Sequence, residues 1–317
     1  MEKIILKQKF EERMKLLLGN EFGEFMESLE KEPLVSIRAN ELKISVSELK
    51  KRLEEKGWKI SQPVKEHPEI FVIASQLAPG ELGRTLEHLL GYYYVQEISS
   101  MLPAIVLNPR PGERVLDLCA SPGSKTTQIA SMMKNKGTVI ANEPDFRRMK
   151  ILSSNLERCG VSNSIITRKE GSRLCDELHE NGFVFDKILI DAPCSGEGTL
   201  RTNPKTMKMW NANGMKKMSF IQKRLLSSAI KLLRIGGEIV YSTCTFAPEE
   251  DEEVVDFMLE RFPEIKVEKI LIPIDHHPGI LKWQNKEYDE ELKHSCRIFP
   301  FDNNTEGFFI TKLRKVK

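Results

Sequence analysis

The segment Arg114-Val-Leu-Asp-Leu-Cys-Ala-Ser-Pro-Gly-Ser-Lys-Thr-Thr127 reads as a strand, a tight turn and the opening of a helix. Arg114 to Leu118 forms the strand, and the helix runs over Thr126 to Met133. Gly123 at the helix entry lets a ligand approach the backbone, and the free N–H groups of a helix N-terminus suit an anionic group. A phosphate-binding P-loop is the obvious rival. That motif needs Gly-Lys-Ser/Thr and another glycine five positions earlier. Here Ser124 separates Gly123 from Lys125, and position 118 is leucine, which argues against an NTPase.

The same rhythm repeats downstream. Strands are expected over Gly137 to Ala141, Asn163 to Thr167, Phe185 to Ile190 and Glu238 to Ser242. Helices are expected over Asp145 to Cys159, Met215 to Leu233 (ended by Gly236-Gly237) and Glu249 to Arg261. Ile265 to Ile272 and Gly307 to Lys312 close the chain as strands. Such alternation implies an α/β, Rossmann-like core, a mostly parallel twisted sheet with helices on both faces.

Ligands of such sheets bind outside the carboxyl ends of the strands. The residues that follow the strands are therefore the candidate site. They are Cys119 to Lys125, then Glu143, then Asp191-Ala-Pro-Cys194-Ser-Gly-Glu-Gly198, then Thr243-Cys244-Thr245. Glu143 is placed to grip ribose hydroxyls, so the turn and this acid suggest a nucleoside-containing cofactor. Cys194 and Cys244 lie in polar loops, where a thiol should be exposed. Two such thiols and Asp191 at one cofactor edge suggest covalent catalysis on an electrophilic ring. The acidic run Glu249 to Glu253 is expected as the first turn of a helix, where acids are favoured.

Upstream, the chain divides near residue 110 into residues 1–108 and 109–317. Apolar residues from Ile5 to Leu29 recur at helical spacing until Pro33. Leu34 to Arg38 and Ile70 to Ala74 read as strands, and Ser45-Val-Ser-Glu48 as a capping box opening a helix that Gly57 ends. This is a small α+β module.

The chain has 317 residues, 40% hydrophobic and 30% charged, with a net charge of +2. These are the values of a folded globular chain, and no apolar run approaches a membrane span. The N-terminal Met1-Glu-Lys-Ile-Ile-Leu-Lys7 is helical in pattern and lacks a secretory core, so a cytoplasmic protein without membrane contact is expected. In a chain this long and of cytosolic pattern the six cysteines are not expected to form disulfides, and the lack of C-x-x-C spacing argues against a metal site. A monomer is the expected state.

Several motifs together resemble the Sun/nucleolar-protein family of RNA 5-methylcytosine methyltransferases. They are Val35-Ser-Ile-Arg-Ala-Asn40, Tyr94-Val-Gln-Glu97 with Ser99-Ser-Met101, and Asp117 to Lys125. Asp191 to Gly198, Tyr241-Ser-Thr-Cys-Thr245, Arg297-Ile-Phe-Pro300 and Thr305-Glu-Gly-Phe-Phe309 continue the match. The resemblance runs from about Pro33 to Leu313. It implies a methyltransferase core with an N-terminal RNA-binding module, and S-adenosylmethionine as cofactor. Cys119, Ala120, Ser121, Pro122, Gly123, Ser124, Lys125, Glu143, Arg148, Glu170 and Asp191 would line the cofactor site. Cys244 would be the nucleophile, Cys194 would help release product, and Asp191 would share a proton with ring nitrogen 3. One departure is Glu170-Gly171, where the family often has aspartate.

The RNA expected from the resemblance is tRNA, in preference to rRNA. Candidate phosphate contacts are Lys50, Lys51, Arg52, Lys56 and Lys59, and also Arg201, Lys205, Lys208, Lys216, Lys217, Lys223 and Arg224. Tyr92, Tyr93 and Tyr94 are expected to pack a domain interface. The competing classes are a methyltransferase acting on a non-RNA substrate and a non-catalytic RNA-binding protein. Neither accounts for two cysteines at the cofactor edge.

Overall fold

A computed structural model describes residues 4–317; residues 1–3 of the N-terminal segment lie outside the described residues. The chain opens with helices α1 (Gln8–Leu18) and α2 (Phe22–Ser28), which divide the single helical stretch expected there. Strands β1 (Val35–Ala39), β2 (Ile60–Ser61), β3 (Ile70–Ile73) and β4 (Tyr93–Val95) form an antiparallel sheet in the order β2-β3-β1-β4. Helix α3 (Val46–Glu55) covers it, capped by Ser45 Oγ accepting from Glu48 N. The Glu48 carboxylate accepts from Arg52 instead of closing a capping box. Two short helical turns, α4 (Glu81–Arg84) and α5 (Leu86–Leu89), lead into β4.

Helix α6 (Ile98–Leu107) joins this sheet to the larger one. Ile98 and Met101 pack with Val64, Ile70 and Val72, while Leu102, Val106 and Leu107 enter the core of the large sheet. A helix buried on nearly every side has no amphipathic period. That is why periodicity did not reveal it.

The large sheet begins with β5 (Arg114–Asp117), α7 (Ser124–Met132), β6 (Thr138–Asn142), α8 (Phe146–Cys159), β7 (Ser164–Thr167) and α9 (Gly171–Glu180). It continues with β8 (Phe185–Asp191), α10 (Lys205–Met209), α11 (Ala212–Ile230), β9 (Leu233–Thr243) and α12 (Glu252–Arg261). Strands β7, β6, β5, β8 and β9 are parallel neighbours in that order. The direction of winding reverses between β5 and β8, so the ligand crevice is expected there.

Four antiparallel strands extend the sheet past β9. They are β10 (Ile265–Glu268), β11 (His277–Pro278), β14 (Cys296–Ile298) and β15 (Phe308–Lys315), with the hairpin β12 (Lys282–Trp283) and β13 (Lys286–Glu287) between β11 and β14 and α13 (Pro300–Asn303) between β14 and β15. β15 lies beside β9, pairing Phe309 with Thr243 and Ile310 with Ser242. Three expectations are corrected. Gly236 and Gly237 lie inside β9 rather than ending a helix, because α11 already stops at Ile230. The strand expected to Ile272 stops at Glu268, although Ile270 and Ile272 remain in the core. Helix α12 starts at Glu252, and residues 249–251 form a buried turn.

Helices α1 and α2 pack against distant parts of the chain. Phe10, Met14 and Phe25 share a core with Trp210, Phe246 and Phe299. Among the described residues, no helix is long and apolar enough to cross a membrane, and no cluster of His, Cys, Asp or Glu could hold a metal ion.

Candidate active site

The crevice is built by what leaves the strand ends. Asp117 closes β5 and is 1% exposed. Thr126 Oγ1 donates to its Oδ2 (2.7 Å), while its buried Oδ1 has no partner among the described residues. Burial pushes this carboxyl up to about 7. Gly123 N-caps α7 at φ +105°, a conformation that favours glycine. Behind it a Cβ would lie 3.1 Å from Leu152 Cδ1, so the turn is pressed against α8. The first-turn N–H groups of α7 open at this turn. Burial, together with the carboxylates of Asp117, Asp191 and Glu143, raises the Cys119 thiol well above its ordinary value.

After β6, Glu143 is buried. Its Oε1 accepts from Asp145 N (2.8 Å), and Arg148 Nη1 stands 3.4 Å from its Oε2. Arg148 Nη2 also donates to Ser121 O (2.9 Å), and Ser121 Oγ donates to Arg148 O (3.0 Å). Glu143, Arg148 and the Ser121 turn therefore form one unit. After β7, Glu170 caps α9: its Oε2 accepts from Ser172 Oγ (2.7 Å) and Arg173 N (3.0 Å). Burial acts to raise its pKa, but those hydrogen bonds hold it below the ordinary value.

Lys125 is 5% exposed. Its Nζ donates to Asp191 Oδ2 (2.7 Å) and Ser100 Oγ (2.8 Å), and lies 5.4 Å from the centre of the Phe308 ring. Ser242 Oγ donates to Asp191 Oδ1 (2.9 Å). The lysine expected on the cofactor turn is thus bonded to the expected catalytic aspartate.

Cys194 and Cys244 follow β8 and β9, and their sulfurs are 3.2 Å apart. The hydrogen bond to Cys244, then burial, raises the Cys194 thiol well above its ordinary value, so Cys194 keeps its proton. Ser195 Oγ and Thr245 Oγ1 bond at 2.7 Å, and Gly198 N donates to Cys244 O (2.9 Å). Gly307 N in turn donates to Gly198 O (3.0 Å). A Cβ on Gly198 would fall 2.1 Å from Gly307 O, so this crossing of two backbones requires glycine.

The acidic run differs from its expected role as a solvated first turn. Glu249 pairs with Arg13 (2.6 Å), and Glu250, Asp251 and Glu252 are fully buried. Thr243 Oγ1 donates to Asp251 Oδ1 (2.5 Å), and Arg297 Nε donates to Glu252 Oε1 (2.7 Å). Sequence reasoning gave no role to Ser100, Gln222 or Ser242, although Ser100 and Ser242 lie within matched motifs and Gln222 lies in the helix expected over Met215 to Leu233.

The basic candidates separate clearly. Lys51, Lys59, Lys205, Lys208, Lys216 and Lys217 are exposed. Lys50 donates to Gln62 (3.0 Å), Arg52 pairs with Glu48 and Lys56 with Glu87 (2.7 Å). Lys223 pairs with Glu253 (2.9 Å) and Arg224 donates to Ser172 Oγ (2.9 Å). Arg201 is excluded as a surface contact: it is buried and donates to Thr305 O and Lys31 O (3.1 Å each). Tyr93 sits in the module's own core, whereas Tyr94 lies at the junction with its OH donating to Pro122 O (3.3 Å).

A family model described as 16S rRNA methyltransferase RsmB/F matches residues 104–314. This chain belongs to the RsmB/F methyltransferase family. A model of the N-terminal domain of 16S rRNA methyltransferase RsmF matches residues 6–98. The tRNA (cytosine(49)-C(5))-methyltransferase of Pyrococcus abyssi is 41% identical over 292 residues, 92% of this chain and 91% of that protein. Ribosomal RNA small subunit methyltransferase F of Vibrio parahaemolyticus is 41% identical over 88% of this chain, which spans only 56% of that protein. A methyltransferase homologue from Pyrococcus horikoshii superposes with a TM-score of 0.85 at 35% identity, covering 98% of this chain and 95% of that one. NSun6 from the same organism, solved with the S-adenosylmethionine analogue SFG, gives 0.84 at 27% identity, covering 98% of each chain.

The RsmB/F member described here is an RNA (cytosine-5-)-methyltransferase, and S-adenosylmethionine is its cofactor. The residues present fit that group. A buried carboxylate oxygen without a partner (Asp117) and a buried acid after β6 (Glu143) suit the hydroxyl and amine donors of a nucleoside, and the α7 N-terminus suits a carboxylate.

Proposed function

We propose that this enzyme methylates carbon 5 of cytosine in tRNA through a covalent bond between Cys244 and carbon 6. The observation that carries this reading is the 3.2 Å approach of the Cys194 and Cys244 sulfurs beside the Asp191–Lys125 pair. In the proposed site, the Cys119–Lys125 turn, Glu143, Arg148, Glu170 and Asp191 hold the cofactor. When bound, S-adenosylmethionine supplies an electrophilic methyl group.

Carbon 5 of cytosine is a weak nucleophile. Addition of the Cys244 thiolate at carbon 6 makes it enamine-like, and Asp191 shares a proton with ring nitrogen 3 as that charge develops. Ser242 and Lys125 hold the two oxygens of Asp191 and fix its orientation. After methylation the carbon 5 proton passes to a base. Its bonding pair closes the ring double bond, and the carbon–sulfur pair returns to Cys244. The Cys194 S–H, kept protonated, donates a hydrogen bond to that departing sulfur. Attack from above the ring requires an unstacked base, so the target cytosine is looped or flipped out.

The tRNA assignment is supported by the similarity to the Pyrococcus abyssi enzyme along 91% of its length. The rRNA reading draws on the family models and on the relatives named methyltransferase F. The N-terminal module would contribute RNA phosphate contacts through Lys50, Lys51 and Lys59. The deciding experiment incubates the protein with S-adenosylmethionine and unmodified tRNA or rRNA in separate reactions, then quantifies 5-methylcytidine by mass spectrometry. Product in the tRNA reaction is expected; product in the rRNA reaction alone would replace the substrate assignment.

A further inference from the structure

Cys194 sits on a loop between β8 and a short 3-10 turn, where no regular hydrogen-bond ladder fixes it. Two residues from other elements do so. Gln222, on the buried face of α11 and 0% exposed, donates from Nε2 to Pro193 O (2.9 Å) and to Glu250 Oε2 (3.0 Å). That carboxylate oxygen also accepts from Ser195 N (3.0 Å). The peptides on both sides of Cys194 are therefore gripped by one pair. Glu250 is itself anchored to the strand that carries Cys244, because its carbonyl accepts from Tyr241 OH (2.6 Å).

The pair is expensive to bury. Glu250 is 0% exposed with no cation bonded to it among the described residues, and burial lifts its carboxyl to about 7. Gln222 Oε1 and Glu250 Oε1 have no partner among the described residues. An apolar pair would fill the same space without two orphaned acceptors. What an apolar pair cannot do is hold Pro193 O and Ser195 N at fixed points relative to Cys244.

We propose that Gln222 and Glu250 are positioning residues for Cys194, setting its S–H against the Cys244 sulfur for release of methylated RNA. The proposal rests on the release role assigned to Cys194 above. It predicts a defect confined to release, because among the described residues neither residue hydrogen-bonds to Asp191, Lys125 or the Cys119–Lys125 turn.

The test uses the full chain with Gln222→Met, Glu250→Ala and Glu250→Gln, with Cys194→Ala in parallel. Gln222→Met keeps the volume without the donors, and Glu250→Gln keeps an acceptor for Ser195 N. A misplacement of about 1 Å costs on the order of 10²-fold in rate. Gln222→Met and Glu250→Ala should therefore lose multiple turnover on that scale while accumulating an RNA–protein adduct stable to denaturing gels. First-turnover methylation and S-adenosylmethionine affinity should stay near wild type, and Glu250→Gln should recover turnover. Wild-type turnover in both variants, or a turnover defect without adduct, overturns the proposal. If Cys194→Ala itself gathers no adduct, the release role fails. The clamp is then decided by the alkylation rate of Cys194 relative to Cys244: a changed ratio in Gln222→Met supports it, and an unchanged ratio overturns it.

Discussion

The Cys194 and Cys244 sulfurs lie 3.2 Å apart although 50 residues separate them, because each follows one of the neighbouring parallel strands β8 and β9. The hydrogen bond and burial raise the Cys194 thiol well above its ordinary value, and the proposed roles make Cys194 the proton donor of this contact. The two cysteines should consequently fail differently. Cys244→Ala should abolish 5-methylcytidine formation. Cys194→Ala should allow the first methylation and leave RNA covalently attached, seen as a shifted band on a denaturing gel. An adduct appearing only with Cys244→Ala would reverse the roles.

Gly198 and Gly307 cross at their backbones, and this crossing ties the Cys194 loop to the start of β15. Gly198→Ala drives a methyl group into a carbonyl oxygen that cannot rotate away. The expected cost is about 1–3 kcal/mol or more, as for overpacked cores. Urea denaturation should show a lower midpoint with an unchanged slope.

Lys51 is exposed and its nearest carboxylate, on Glu55, is 3.9 Å away. Such a surface pair contributes little to stability. Lys50→Glu with Lys51→Glu should weaken RNA binding and reduce its salt dependence by roughly one unit of log–log slope for each phosphate no longer neutralised. S-adenosylmethionine affinity should not move. A drop in cofactor affinity would show that this surface supports the fold of the catalytic domain instead.

Glu97 connects helix capping to pH. Its Oε2 accepts from Ser100 N (3.3 Å) and Ser99 Oγ, and its Oε1 accepts from Glu306 N (3.1 Å). Burial, then the neighbouring Glu306 charge, raises it from 4.5 to about 7. A carboxyl raised on folding binds its proton more tightly in the native state. Its contribution to stability is therefore fullest below about pH 4.5 and is lost as pH climbs to about 7. Glu97→Gln removes that dependence. Between pH 5 and 7.5 the melting temperature of the wild type should fall more than that of the variant.

Much of the site was legible because the α/β rule converts strand ends into a shared edge. Once the parallel strands were located, Gly123, Glu143, Asp191 and the two cysteines had to lie together, and they do. What stayed hidden has three physical causes. Helix α6 is apolar on all sides, so its period carried no signal. The acidic run looked like a solvated helix start because charge alone does not reveal that Arg297 and Thr243 wait to pair with Asp251 and Glu252. Arg38 offered no hint of its role: it is buried without a carboxylate bonded to it among the described residues and donates instead to Ser124 O (2.9 Å) and Thr127 Oγ1 (2.8 Å) at the start of α7. Burial pulls its pKa down to about 10.

That arginine yields a further expectation. Arg38→Met would leave Ser124 O and Thr127 Oγ1 with only their bond to each other and would leave Gln96 Oε1 unpaired among the described residues, costing about 1–3 kcal/mol for that buried group. The N-terminal sheet would loosen from the catalytic sheet, and S-adenosylmethionine affinity measured by calorimetry should fall, although Arg38 belongs to the other sheet.

The packing of α1 and α2 also governs how the chain is made. Phe10 meets Trp210 with ring centres 5.5 Å apart, and Phe25 meets Phe246 at 5.7 Å. Phe299, the last aromatic of that cluster, leaves the ribosome long after them. At ~5–20 residues per second the first helices wait roughly a quarter-minute to a minute for their partners. Throughout that interval their apolar stripe is open to chaperones and proteases. Helices α1 and α2, made well before Phe299, are thus among the last parts of the fold to be secured.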